Sequence, residues 1–499
     1  MRFAIFDKKL VPEPLLSEPQ TTQTIAKIGE IPQPSRNLHF QYCNDVRKRL
    51  IGKQLLLDEI PHTLDEIHQH YEQGYITLRK GIVFEKGTPR CQRCGNQKPH
   101  LFSSFPCSRC RELCTYCRKC IMMGRVSTCT PLYSWSDSEC QSARETANLV
   151  WNGTLSFGQQ VASDEVVKAI STNDDLLVWA VCGAGKTELL FEGIRYALSL
   201  QKRVCIATPR TDVVQELTPR LQAVFPQIDV ASLYAGSPDR HKYSPLTIST
   251  THQLFRFYQA FDVVIVDEVD AFPYSMDETL QYAVQNARKE RSSMIYLSAT
   301  PNQQWQKDCR QGKRNFVTIP ARYHRKPLPV PELKWCGNWD KKLKQNKLPP
   351  NVMKWLKIRL DMEKQALLFI PKIELIPKLL AILQKLDSRI EAVHAADPER
   401  KAKVQSMRQK EIPILVTTTI LERGVTFPNL DVAVLGSEEQ IFTASALVQI
   451  AGRVGRSAQY PTGNITFFHF GRTEAMLQAR KQIQNMNAEA AKKGMIDIE

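Results

Sequence analysis

The stretch WAVCGAGKTE, Trp179–Glu188, constrains this chain more than any other. It lies between an apolar run and an amphipathic segment, and it sets Gly183, Gly185, Lys186 and Thr187 at the spacing of a phosphate loop. Glycines let consecutive backbone N–H groups turn inward around phosphate oxygens, and the N-terminus of the next helix adds positive potential. In that setting Gly183, Ala184 and Gly185 cradle ATP, Lys186 reaches its outer phosphates, and Thr187 ligates Mg2+. One departure is plain: Ala180 stands where the usual pattern has its first glycine.

The surrounding pattern suits such a loop. From Leu155 onward, DLLVWAV, RVCIATP, LTISTT, DVVIVDE and SMIYLSA are short apolar runs that each end at a polar or Gly/Pro turn. Strands buried on both faces, alternating with helices, belong to a parallel doubly wound sheet. Residues 321–352 are rich in Pro and Lys and read as a linker. A second series follows with QALLFIP, RIEAVH, IPILVTTT, LDVAVLG and NITFFHF, and a basic helix from about Arg472 closes the chain. The expected fold is therefore α/β. It has two RecA-like doubly wound parallel-sheet lobes, residues 151–320 and 353–499, and a small N-terminal zinc-binding module. The lobes resemble each other in type, not in sequence.

Ahead of the lobes, residues 1–40 are rich in Pro, Gln, Ser and Thr and read as a flexible arm. Residues 41–150 form a separate region, with a basic helix expected around DVRKRLIGKQLLLDEI and a polar one around TLDEIHQHYEQG. A length of 499 residues accommodates about three domains.

DVVIVDEVD adds the second half of a nucleotide site. Asp267 can hold Mg2+, and Glu268 can orient and deprotonate the attacking water. Alone this would read as a solvated acidic strand end; beside a phosphate loop it reads as catalytic. In QIAGRVGR, Arg453 and Arg456 lie three apart, one helical turn. Planar, permanently charged groups there suit a charge-spread transition state. A plain basic surface helix does not explain the two interleaved glycines.

The chain carries 67 Lys and Arg against 51 Asp and Glu, a formal charge of +16. That balance favours a polyanion, nucleic acid before an anionic membrane surface, over a merely solvated basic face. No apolar run approaches the roughly 18 residues that span a bilayer, and no signal peptide is visible. The expected compartment is the reducing cytosol, where clustered cysteines argue for metal over disulfides.

Seven of the 14 cysteines fall between Cys91 and Cys120. Three CxxC pairs can be written, Cys91/Cys94, Cys107/Cys110 and Cys117/Cys120, with Cys114 left over, and any two pairs can close a tetrahedral zinc site. Cys129, Cys140, Cys182, Cys205, Cys309 and Cys336 read as ordinary core or loop thiols. Arg111, Arg118, Lys119 and Arg125 would stand on the knot's rigid surface, touching DNA or a partner; equally, the knot can simply brace the region against the first lobe.

Together the motifs resemble a superfamily 2 helicase/translocase core over residues 155 to about 470. Gln159 in LSFGQQ matches an adenine-reading glutamine, and ATPR and STTHQL match strand-contacting motifs. The SAT of Leu297–Thr300 matches a coupling motif, and LLFIP, TTTILERGVTFP and QIAGRVGR match the motifs of the second lobe. With CQRCG, YCRKCIMMGRV, PLYSW, DEVDAFPYS and WCGNW added, the chain resembles the bacterial late-competence family ComFA from about residue 45 onward.

That resemblance implies an ATP hydrolase that moves along single-stranded DNA and drives DNA uptake across the membrane in natural transformation. It implies backbone contacts from Arg210, Thr251 and Thr418, and one Zn2+ on Cys91, Cys94, Cys117 and Cys120 beside ATP and Mg2+. Cys107, Cys110 and Cys114 depart from the family's four-cysteine pattern, as a partial second site or as variation. The implied place is cytoplasmic, peripheral to the inner face of the membrane. The implied partners are other uptake proteins: a ComFC-like phosphoribosyltransferase-type protein, a DprA-like DNA-processing protein and a membrane channel. An oligomer is compatible with all of this. The rivals are a PriA-like replication-restart helicase, an RNA helicase, and a zinc-dependent DNA-binding adaptor with a regulatory ATPase. Trp335 and Trp339, set among lysines, either stack on bases or pack the linker onto a lobe.

Overall fold

A computed structural model gives the fold over residues 1–137 and 148–497, so Cys140 lies outside the described residues. The chain divides into two compact units. The first comprises Met1–Asn152, Val166–Leu176 and Phe191–Tyr296; the second comprises Gly153–Glu165, Leu177–Leu190 and Leu297–Glu499.

In the first unit, strands Val230–Leu233, Leu246–Thr250, Val204–Thr208, Phe261–Val266 and Arg288–Ser298 are parallel neighbours in that order. Val204–Thr208 and Leu246–Thr250 are buried along their whole length, as strands covered on both faces should be. Because the strands run parallel, the loops ATPR, STTHQL and DEVD leave them at one edge. The amide of Asp267 donates to the Ala207 carbonyl at 2.8 Å and ties two of those loops together.

The N-terminal part of this unit departs from expectation. Residues 1–40 are not a loose arm. Phe3–Phe6 pairs with Lys9–Pro12, and Phe3, Leu10, Ile25 and Ile28 are buried in one cluster with Val46, Leu50, Ile67 and Tyr71. Enough apolar side chains recur among the prolines to anchor the segment without regular periodicity. The first expected helix is also shorter, Asn44–Leu50. Ile51 turns extended, and Gly52 takes φ +65° where a Cβ would press on Ala260 and Arg203, so the chain leaves the helix there. The second expected helix, Leu64–Glu72, starts at a Thr63/Glu66 capping box. Ile76–Lys80 then pairs with Pro131–Trp135, and hairpin Phe102–Cys107/Glu112–Cys117 lies between them in sequence.

In the second unit, Leu176–Ala180 pairs in parallel with Phe316–Ile319. A separate six-stranded sheet runs in the order Glu332–Trp335, Ile465–His469, Leu430–Leu435, Gln365–Phe369, Ile414–Thr417, Glu391–Val393, all parallel. Its central strand shows the pleat directly. Leu367 and Phe369 enter one hydrophobic cluster, Ala366 and Leu368 the other. Helices Ala444–Ala451 and Glu474–Lys492 cover the first face, and Pro350–Asp361 and Ile376–Leu383 cover the second. Much of the expected linker is structured. Glu332–Trp335 is the edge strand, and Cys336, Trp339 and Leu343 are core residues. Trp339 is packed into the second unit and donates to Glu438 Oε1 at 2.7 Å, while Trp335 stays 66% exposed.

Candidate nucleotide-binding and metal-binding sites

The phosphate loop leaves its buried strand at Ala180 and reverses through Gly183 (φ +84°) and Gly185 (φ +72°). Both values lie where side chains with a Cβ are strained, which is why this turn needs glycine. A 3-10 turn, Glu188–Leu190, follows Lys186 and Thr187 and leads into helix Phe191–Ser199. Gln159 is buried beneath the loop. Its Nε2 donates to the carbonyls of Ala184 at 2.9 Å and Gly185 at 3.3 Å, and its Oε1 accepts from the Ser156 amide at 2.8 Å. The amide of this glutamine is thus committed to the loop itself. A Cβ on Gly185 would collide with it.

Within the same unit the loop meets QIAGRVGR. Cys182 donates its thiol to Gln449 Oε1 at 3.0 Å, and Gln449 Nε2 donates to Thr300 Oγ1 at 3.4 Å. Thr300, the last residue of SAT, also shares a 2.7 Å hydroxyl contact with Ser445. Gly452 is required by the same approach, since a Cβ there would lie 2.5 Å from Cys182 Cβ. Three motifs far apart in sequence therefore share one hydrogen-bonded network.

Arg322, which the sequence did not mark, completes it. It is buried and donates to the carbonyls of Cys182 at 3.0 Å, Val454 at 2.7 Å and Gly452 at 3.3 Å, and to that of Gly455. Burial, followed by the charge of Arg456, brings its pKa down to about 10, so it stays a cation at neutral pH. No motif spacing pointed to Arg322; its only signal was a charged side chain in a stretch that turned out to be ordered.

Arg453 and Arg456 lie beyond the end of helix Ala444–Ala451, in the turn that follows Gly452. Arg453 is buried, with Nε donating to the Glu422 carbonyl at 2.9 Å and Nη1 to that of Val425. It links the turn to TTTILERGV. Arg456 is half-buried and donates through Nε to Gly452 O at 2.8 Å. Thr418, half-buried, directly follows strand Ile414–Thr417.

The first unit carries DEVD. Asp267 and Glu268 are half-buried at the end of strand Phe261–Val266, and Glu268 takes φ +54° with its amide donating to Asp267 Oδ1 at 2.8 Å. Of the strand-contact candidates here, Arg210 is held by Asp212 through two contacts of 3.0 and 2.6 Å, and Thr251 is wholly buried.

The cysteines form two groups of four, not one. Cys91, Cys94, Cys117 and Cys120 come together as the family pattern implied. A tetrahedron with zinc about 2.3 Å from each sulfur has edges of about 3.8 Å. Cys91 and Cys120 lie 3.8 Å apart, Cys94 and Cys117 3.7 Å, so the set fits Zn2+. Buried Arg93 donates to the Cys120 carbonyl at 2.8 Å and to its sulfur at 3.3 Å, and Asn96 points at Cys117 at 3.6 Å. A four-thiolate zinc centre carries net negative charge, and Arg93 would offset part of it. Sequence reasoning had singled out exposed basic residues instead. Several of these are engaged: Arg111 with Glu13, Lys119 with Asp277 at 2.7 Å, and Arg125 over the Phe105 ring.

The second group is Cys107, Cys110, Cys114 and Cys129. It corrects the reading of Cys129 as an ordinary thiol, and of the two readings of Cys107, Cys110 and Cys114 it favours a second site over variation. Cys129 stands alone in sequence, and only chain folding brings it to the hairpin.

The knot is braced within its unit. Gln54 Nε2 donates to the carbonyls of Phe255 at 3.0 Å and Phe257 at 3.1 Å, and Glu59 pairs with Arg256 at 3.0 Å. Gly95, φ +70°, lies so close to the Tyr282 ring that a Cβ would meet it at 2.5 Å.

Three stretches of the chain match known families. Residues 37–134 match the competence protein ComFA N-terminal domain, residues 161–308 the DEAD/DEAH box helicase family and residues 350–458 the helicase conserved C-terminal domain. The chain is 50% identical to the competence protein ComFA of Bacillus subtilis over 90% of its own length and 97% of that protein. It is 38% identical to ComFA of Streptococcus pneumoniae over 81% and 92%. Among solved structures, the Mycobacterium smegmatis helicase Lhr bound to single-stranded DNA and AMP-PNP aligns with 66% of this chain and 48% of its own, at 18% identity and a TM-score of 0.49. The identity to the two ComFA proteins over nearly their whole length, with the matched N-terminal domain, leads to one assignment: the chain belongs to the ComFA family of competence proteins.

Proposed function

We propose that this protein is an ATP-driven motor that moves along single-stranded DNA and serves DNA uptake across the membrane during natural transformation. What carries the reading is the network in which Cys182, Gln449 and Thr300 join the phosphate loop, QIAGRVGR and SAT. A simple ATP-binding domain has no need of such a link. A motor does, because hydrolysis must be felt by the motifs that grip the strand.

In this mechanism the loop amides at Gly183–Gly185 and the Lys186 ammonium hold the phosphates of ATP. Thr187 and Asp267 would hold Mg2+, which would neutralise phosphate charge. Glu268 accepts a proton from the attacking water. Arg456 stabilises charge on the transferring phosphoryl group, and Arg453 holds TTTILERGV in register beneath it. Arg210 and Thr418 touch the DNA backbone, so sequence preference is low. Cys91, Cys94, Cys117 and Cys120 would hold Zn2+, which would supply folding energy to the N-terminal region. No helix among the described residues is long and apolar enough to cross a membrane. We place the protein in the cytoplasm at the inner membrane face, working with other uptake proteins.

The test is the rate of ATP hydrolysis with no nucleic acid, single-stranded DNA, duplex DNA and RNA. Single-stranded DNA should stimulate most, and Glu268→Gln should remove the activity. Equal stimulation by RNA, or none by DNA, would contradict the reading.

A further inference from the structure

We infer that Cys107, Cys110, Cys114 and Cys129 hold a second zinc ion, and that this ion fixes the surface on which the N-terminal segment packs. The four sulfurs lie within 4.8 Å of one another and all four residues are buried. Cys107 and Cys129 are 3.9 Å apart, close to the edge of about 3.8 Å that a zinc–tetrathiolate tetrahedron requires. The separation is far longer than the roughly 2.05 Å of a disulfide. The local backbone has the form of a metal knuckle. The amide of Arg111 closes onto the Cys107 carbonyl at 2.7 Å, and Arg111 takes φ +58°, so the chain turns tightly around the two sulfurs of Cys107 and Cys110. Cys114 comes from the returning strand and Cys129 from a turn held to that strand by Thr128 N to Thr115 O at 2.9 Å. The Thr128 hydroxyl is 3.2 Å from the Cys114 sulfur and can donate to a thiolate.

The packing makes the same point. At this end of the hairpin the buried cluster consists of those four cysteines, with partly buried Phe105 against it. Two strands with no apolar core are marginal in water. Four bare thiols supply little burial; one divalent ion on four thiolates supplies the missing cohesion, with the displaced thiol protons passing to solvent. A closed, all-sulfur tetrahedron suits zinc or an iron–sulfur centre, and a separation of about 3.8 Å between sulfurs is that of one zinc ion.

The N-terminal segment is fastened to this loop. Arg2 donates to the Cys110 carbonyl at 3.1 Å and to Glu112 Oε1 at 2.7 Å. Lys27 reaches Glu112 Oε2 at 2.8 Å, Ala26 N donates to Thr128 O at 3.1 Å, and Arg111 pairs with Glu13. Each of these partners is a ligand or stands within two residues of one. Loss of the ion therefore loosens the hold of residues 1–30 on the hairpin, while Phe3, Leu10, Ile25 and Ile28 keep their packing against Val46, Leu50, Ile67 and Tyr71.

Zinc content of the full chain, purified under reducing conditions, tests the ion count. Two zinc ions per chain are expected, one in Cys129→Ser, one in Cys94→Ser and none in the double variant. Cobalt substitution gives a second readout on the wild type: the intensity of the thiolate charge-transfer bands should halve in Cys129→Ser. ATP binding by each variant establishes that the lobes remain folded. Cleavage within residues 1–30 by a trace protease should be about tenfold faster in Cys129→Ser, because the cut follows the population of the open segment. One zinc in the wild type that persists in Cys129→Ser, or a Cys107–Cys129 disulfide in the native protein, would overturn the second site. Zinc loss with unchanged cleavage would overturn the anchoring role.

Discussion

The thiol of Cys182 donates to Oε1 of Gln449 at 3.0 Å, although 267 positions separate the two residues in sequence. The Nε2 of the same amide reaches Thr300, so one side chain touches both the phosphate loop and SAT. Gln449→Leu keeps the size and removes both hydrogen bonds. It should lower the DNA-stimulated kcat by about tenfold and change the KM for ATP by less than about threefold, because the contact transmits rather than binds. Steady-state kinetics with and without single-stranded DNA measures this. An equal loss in basal and stimulated rates would show that Gln449 acts on chemistry alone.

Arg453 and Arg456 should behave differently despite sharing a motif. Arg453 is buried and satisfies two backbone carbonyls, and leaving such groups unpaired costs about 1–3 kcal/mol each. Arg453→Ala should therefore lower the melting temperature as well as the rate. Arg456→Ala should leave the melting temperature nearly unchanged and lower kcat by about 1000-fold, as removal of an arginine finger does. Thermal melts beside kinetics separate the two. Matching melts for both variants would contradict the assignment.

How much of this was legible beforehand depends on what each residue signals locally. The central strands were, since Val204–Thr208 or Leu430–Leu435 is a continuous apolar run bounded by turns. The edge strands Phe316–Ile319 and Glu332–Trp335 were not, because half-exposed edges show no such run. Phosphate-loop glycines announced themselves by spacing. Arg322 did not, since its role is to satisfy carbonyls that come together only after folding. Three CxxC pairs left the ligand set open on spacing, and the family resemblance singled out the first cysteine group; the second draws Cys114 and Cys129, neither part of a CxxC pair in that set, across a hairpin.

Lys53 gives the fold a pH signature. It is buried, its ammonium donates to the His241 carbonyl at 3.2 Å, and Arg203, Arg49, Arg256 and Arg240 lie around it. Burial first, and then those cations, bring its pKa from 10.5 down to about 7. The unfolded chain thus binds more protons than the folded one between those two values, and stability rises with pH across that window. Below about pH 7 the full cost is present, with an upper bound of about 5 kcal/mol. Lys53→Met should stabilise the protein at pH 6.5, and the gain should shrink toward pH 10. Urea melts at the two pH values check this; a gain independent of pH would mean that packing, not charge, is responsible.

The two tryptophans of WCGNW should part company. Trp339 is buried against Gly436 and bonded to Glu438, so Trp339→Ala should cost about 3–5 kcal/mol of stability. Trp335 is exposed on the edge strand, so Trp335→Ala should leave the melting temperature alone and weaken single-stranded DNA binding by about 1–3 kcal/mol, the worth of one base stacked on a ring. Unchanged DNA affinity would remove Trp335 from the strand path.

Movement along DNA is the central claim, and displacement of streptavidin from biotinylated single strands measures it without requiring duplex separation. The protein should strip streptavidin from one end of the strand far faster than from the other, only with ATP, and Lys186→Ala should abolish the effect. ATP hydrolysis stimulated by single-stranded DNA with no displacement from either end would contradict a motor.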